Sequence, residues 1–129
     1  MTVKDFLVVF ASFLEKNLSP GLEEMFGSYS SWIMGGVVAV LSRGVVAKVE
    51  ENSAMLKKLG IMNADGSISI DGVESFLQGA FEKSPELRID PKKLLGLKFD
   101  NPLLSNLLDG EMVFRPEEAQ EFIAMLRNR

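Results

Sequence analysis

SYSSWIMGGVVAVLSRGVVAKVEENSAMLKKLG, residues 28–60, keeps a helical pattern for some thirty residues and then stops on a recognisable signal. Gly60 can take the left-handed conformation just past a helix while Ile61 packs back on Leu56, which is the chemistry of a glycine C-cap. Inside the segment, Ser31, Gly35 and Ala39 recur at four-residue spacing, with Gly36 and Gly44 close by and Trp32, Ile33, Met34, Val37, Val38, Val40 and Leu41 between them. A glycine inside a helix costs about 1 kcal/mol relative to alanine. Three of them in ten residues imply a compensating contact, and close approach of another backbone is the expected one. Three occupants fit: the chain's own first helix, which is preferred, a second copy of the protein, or a membrane neighbour. A bilayer span takes about 20 apolar residues. Here the apolar run from Trp32 to Leu41 is interrupted by Ser42 and Arg43, so a full span is disfavoured. Arg43 itself reads as a surface arginine lying along the helix, with a partner-facing charge as the alternative.

Upstream, residues 6–14 form a second apolar run. Asp5 stands where a secretory leader needs a basic residue, and Glu15-Lys16-Asn17-Leu18 follows where small residues should mark cleavage, so the run is read as a helix instead. Thr2 can cap it, Asp5 sits in capping-box position, and Phe6, Val9, Phe10, Phe13 and Leu14 share one stripe. Ser19-Pro20 reads as the start of a further helix, serine as N-cap and proline at the first helical position, closed or kinked at Gly27.

Downstream of Gly60 the texture changes to short segments. Asn63-Ala64-Asp65-Gly66 signals a turn, Ser67-Ile68-Ser69-Ile70 alternates, and Asp71-Gly72-Val73-Glu74 reads as a capping box starting a helix that stops near Ser84-Pro85. Val73, Leu77, Ala80 and Phe81 make its apolar face. Four short strands are expected, carried by Ile68/Ile70, Leu87/Ile89, Leu97/Phe99 and Met112/Phe114. The strands at 87–89 and 97–99 are too close in sequence for a parallel crossover, so they should pair antiparallel or not at all. A last helix begins at Pro116 and presents Ala119, Phe122, Ile123 and Leu126 on one side.

Composition narrows the chemistry. The 129 residues include no cysteine and no histidine, which removes thiol nucleophiles, disulfides, histidine relays, thiolate zinc and His- or Cys-ligated haem. Fourteen basic against eighteen acidic side chains give a net charge of −4, a poor match for nucleic-acid phosphates. Residues 1–60 are electrically balanced, so the acidity belongs to the second half. One domain of this length can bury a single core. It divides into a helical part, 1–60, and a strand-and-helix part, 61–129.

Several motifs invite functional readings. Asn63, Asp65, Gly66 and Ile68 match the middle of an EF-hand loop, but Ile61 and Gly72 fill the first and twelfth ligand places, so a glycine turn is the better reading. Glu23-Glu24, Glu50-Glu51 and Glu117-Glu118 are adjacent acids that point apart on a helix and read as solvated faces. Gly35-Gly36 is no phosphate loop, since no Gly-Lys-Ser/Thr follows. No cofactor, metal or catalytic constellation is expected.

The segments LKKLGIMNADGSISIDGVESFL (56–77) and LKFDNPLLSNLLDGEMVFRPEEAQEFIAML (97–126) resemble small uncharacterised proteins of bacterial and phage genomes, in which a helix ending in Leu-Gly-Ile is followed by an acidic-glycine turn, a strand and a helix. The resemblance implies strand-plus-helix units and no activity. The expected fold class is α+β and helix-dominated, with an N-terminal helical hairpin containing a long glycine-bearing helix and a C-terminal half of short strands alternating with short helices. The expected role is a non-catalytic protein-interaction or assembly protein in the cytoplasm, homo-oligomeric through Ser31, Trp32, Met34, Gly35, Gly36, Ala39, Arg43 and Gly44. The alternative is a small phage-type membrane effector using its apolar N-terminal half.

Overall fold

The computed structural model describes residues 1–95 and 112–129, and the strand expected at 97–99 lies outside them. The fold is α+β and helix-dominated. Helices α1 (Val3–Phe26), α2 (Ser30–Glu51), α3 (Ser53–Lys58) and α4 (Ile70–Lys83) precede strand β1 (Leu87–Ile89), helix α5 (Pro91–Leu95), strand β2 (Met112–Phe114) and helix α6 (Pro116–Arg127).

Helix α1 starts as its sequence dictates, with Thr2 Oγ1 accepting from the Asp5 N–H at 3.1 Å. It does not restart at Ser19-Pro20. Pro20 sits inside one continuous helix of 24 residues. An internal proline costs about 3 kcal/mol. The helix survives because Leu14, Leu18 and Leu22, on both sides of the proline, pack on α2 as one apolar row. Gly27 then ends α1 at φ 54°, and a single 3-10 turn, Gly27–Tyr29, reverses the chain into α2.

The expected thirty-residue helix is broken at Asn52, where φ −111° and ψ 20° leave the helical region. The Asn52 side-chain amide donates to the Lys48 carbonyl at 2.9 Å, so the side chain competes with the backbone at that point. Glu50 and Glu51 also crowd the negative end of the α2 dipole. Beyond α3 the glycine stop is as expected: the Gly60 N–H donates to Lys57 O (3.2 Å), the Ile61 N–H to Leu56 O (3.0 Å), and Gly60 takes φ 81°. Those two bonds are the Schellman pattern.

The next turn is held by Asp65, whose Oδ1 accepts from Ser67 Oγ (2.6 Å) and Ser67 N–H (2.9 Å). Those bonds, the hydroxyl's first, hold the Asp65 carboxyl below its ordinary value of 3.8. A carboxyl lowered in the folded chain contributes stability above its unfolded pKa and loses it as pH falls through the folded one. Asp65→Ala should therefore be less stable than the parent near neutrality, with the gap closing below about pH 4. Urea melts of both chains across the acid range check this.

The Ser67 to Ile70 alternation yields only one bridged residue. Ile68 faces Met62 in an isolated antiparallel bridge, and its N–H also donates to Met1 O at 2.6 Å. Ser69, not Asp71, caps α4: its Oγ accepts from the Gly72 N–H at 3.1 Å, which draws Ile70 into the helix. Strands β1 and β2 are as expected and pair antiparallel, Leu87 opposite Phe114, Arg88 opposite Val113 and Ile89 opposite Met112. Asp90 Oδ1 accepts from the Lys92 and Lys93 N–H groups and caps α5.

Two apolar clusters result, joined along α1. Val9 and Phe13 of α1 meet Met62, Ile68, Val73 and the α6 side chains Phe122, Ile123 and Leu126. Further along α1, Leu14 and Leu22 meet Ile33, Met34, Val37 and Leu41 of α2. Exposed ion pairs lace the first cluster from outside: Arg129 with Asp5 (3.0 Å), and Arg127 with Asp71 (2.9 Å) and Glu74 (3.2 Å). Such pairs contribute little each; apolar burial holds α6 in place.

Candidate interaction surface

Successive residues of α2 turn by 100°. That geometry sends Ile33, Met34, Val37, Leu41 and Gly44 inward, where all five are buried. It sends Ser31, Trp32, Gly35, Ala39 and Arg43 outward, where all five are exposed, and leaves Gly36 half-buried between the two sides. The surface is narrower than the sequence suggests, because Met34 packs in the hairpin interior and Gly44 is buried.

At Gly35 the preferred occupant of the small-residue face, the first helix, is not found. Helix α1 lies against the leucine and valine side of α2, and nothing among the described residues stands within 4 Å of where a Gly35 side chain would begin. The hairpin closes through large side chains and leaves the Ser31/Gly35/Ala39 row open. Gly35→Ala should consequently stabilise the isolated chain by about 1 kcal/mol, the helix-propensity difference with no steric penalty against it. A denaturant melt at a concentration where the chain is monomeric reads this directly.

Around this row the helix stays apolar, with Val38, Val40, Val45 and Val46 half-buried. A helix apolar on all sides belongs inside a protein or against lipid. The stretch Val3–Glu51 contains an 18-residue window of mean hydropathy 1.5, of which 28% is buried. By length and composition it suits either a membrane-crossing helix or the core of a soluble protein.

Two features flank the face. Along one edge, Glu15, Ser19 and Glu23 of α1 and Ser30, Ser31 and Gly35 of α2 line a shallow furrow of about 270 Å³. At the closed end of the hairpin, Met25, Tyr29 and Trp32 are 67%, 71% and 74% exposed. Sequence reading missed Met25 and Tyr29. The signal was present in residues 25–42, eighteen residues without a charged side chain, but the expected break at Gly27 divided it.

Other candidate chemistry is spent on structure. Asp65 and Asn63, the two side-chain groups of the EF-hand-like turn, are both bonded to Ser67. Asp71 and Glu74 share Arg127, whose guanidinium they hold above its ordinary pKa, Asp71 contributing most. Among the described residues no three His, Cys, Asp or Glu side chains could hold a metal ion. Comparison with protein-family models, curated proteins and solved structures finds no match to this chain.

Proposed function

We propose that this chain is a non-catalytic interaction protein of the cytoplasm, acting through the outward face of α2 with a second copy of itself as partner. Gly35 carries the reading. It stands in the second turn of α2, costs about 1 kcal/mol against alanine, has φ in the ordinary helical range, and a side chain there would meet nothing among the described residues. A local rule broken without benefit to the monomer is the mark of a functional position. Gly35 and Ala39 are exposed small residues one and two turns from the exposed Trp32, so one face offers both a large anchor and small residues on which the partner's anchor can rest, as a symmetric pair requires. Catalysis has no part in this reading: the furrow acids Glu15 and Glu23 lie on one helix, about 12 Å apart along its axis.

Sedimentation from micromolar to tens of micromolar tests it. The parent chain should exceed monomer mass, and Gly35→Leu should return it to monomer with its helical spectrum intact. A strict monomer throughout the range rejects the second copy as partner.

One observation favours a second reading, in which the N-terminal half associates with a membrane: only 28% of its most apolar window is buried. The net-neutral first half would rest on the bilayer while the acidic second half stays in water. Flotation of the full chain with phospholipid vesicles tests this reading.

A further inference from the structure

We propose that the closed end of the α1–α2 hairpin is a lipid anchor that seats Met25, Tyr29 and Trp32 in the interfacial layer of a zwitterionic bilayer. The inference rests on the membrane reading and names the part of the chain that makes contact and the surface it fits. Exposed apolar side chains scattered singly are ordinary. Val8 is such a case, Met55 and Leu59 stand one turn apart, and Phe76 and Leu94 line one groove beside β1; Met25, Tyr29 and Trp32 instead fall within eight residues around the turn that joins the two most apolar helices. Two of the three are the amphipathic aromatics that settle at headgroup level, with an apolar ring and one polar group each.

Charge points the same way. From Met25 through Ser42 the chain carries no ionisable group except the Tyr29 phenol, so the tip can leave water without stripping a charge. The backbone of the turn is also prepared: the Gly27 N–H donates to Glu23 O and the Ser30 N–H to Gly27 O. Internally bonded amides lower the cost of entering a poor hydrogen-bonding solvent.

The same residues limit the depth and select the lipid. Glu23 and Glu24 are exposed immediately behind Met25, and the last turn of α1 contains no basic residue to offset them. Of the four cations on the hairpin, Lys16 is engaged with Glu121 at 2.8 Å, Arg43 lies about three turns up α2 from Trp32, and Lys4 and Lys48 are farther still from the tip. Insertion is therefore shallow, and an anionic surface would repel the two glutamates.

Trp32 is the only tryptophan in the chain, so its emission reports on this tip alone. With phosphatidylcholine vesicles the full chain should float, and Trp32 emission should move to shorter wavelength and be quenched by lipids brominated near the headgroup end of the acyl chains. Exchanging a minority of the lipid for phosphatidylserine should weaken binding, and Glu23→Gln with Glu24→Gln should restore it. Met25→Ser with Tyr29→Ser should reduce partitioning by about tenfold or more, while far-ultraviolet dichroism shows the helices unchanged. A chain that floats with no change in Trp32 emission sinks the anchor and leaves the membrane reading standing. A chain that does not float sinks both. An emission shift that follows protein concentration without lipid assigns the tip to a second copy and likewise overturns the anchor.

Discussion

Gly72→Ala is expected to destabilise the fold by about 3 kcal/mol, lowering the thermal midpoint by about 10 °C. Helix propensity alone predicts the opposite, since alanine is favoured over glycine inside a helix by about 1 kcal/mol. The structure reverses the sign. Gly72 lies in the first turn of α4, where the chain leaving α3 crosses it, and a side-chain carbon there would overlap the Gly60 carbonyl oxygen and stand 3.2 Å from the Ile61 Cα. Both neighbours are main chain, so no rotamer change relieves the clash. Gly60 cannot shift freely, because its left-handed conformation closes α3 through the Lys57 and Leu56 carbonyls. Gly79, on the same helix with open space around it, is the matched control. Calorimetry of the two alanine variants should show opposite shifts in midpoint; a Gly72→Ala chain as stable as the parent would show that α4 and the Gly60 turn are not in contact.

Phe122→Ala is expected to cost about 4 kcal/mol. The ring is 7% exposed and joins the two long-range partners of the first cluster, meeting Phe6 edge-on at 5.7 Å and Phe13 at 5.1 Å between centroids. Phe13 in turn stands edge-on to Phe114 of β2 at 6.1 Å, so one deletion loosens α1, α6 and the small sheet together. Truncation removes the transfer energy of a phenyl group and leaves a cavity bounded by helices that can close only partly. Phe122→Leu keeps most of the volume and should lose far less. Urea midpoints for the pair separate the volume effect from the aromatic contacts: equal large losses would assign the effect to the ring contacts, and negligible losses in both would place Phe122 outside the core.

Features governed by near neighbours along the chain are legible in the amino-acid sequence alone. The Thr2 cap, the Gly60 stop, the α6 start at Pro116 and the Ala119/Phe122/Ile123/Leu126 face are each set by residues within one or two helical turns. So are the strands at 87–89 and 112–114, whose alternation survives as an antiparallel pair. The candidate surface is legible only as a set of residues. Helical spacing puts Ser31, Gly35, Ala39 and Arg43 on one side of a helix, but no sequence pattern says which side a second helix will cover.

Local chemistry thus determined the element types, the absence of thiol and imidazole chemistry, and the net-neutral, apolar character of the first half. Where two local preferences competed, the outcome came from tertiary contact at Pro20 and along α2, and from a local side-chain bond at Ser69. Pro20 stayed inside α1 because a leucine row on both sides of it had α2 to pack on. Ser69 displaced Asp71 as the α4 cap, so Ile70 entered the helix and the expected strand shrank to a bridge at Ile68. Most consequentially, α2 turned Ile33, Val37 and Leu41 toward α1 and Gly35 outward, because burying those three removes far more apolar surface from water than burying Ser31, Gly35 and Ala39 could.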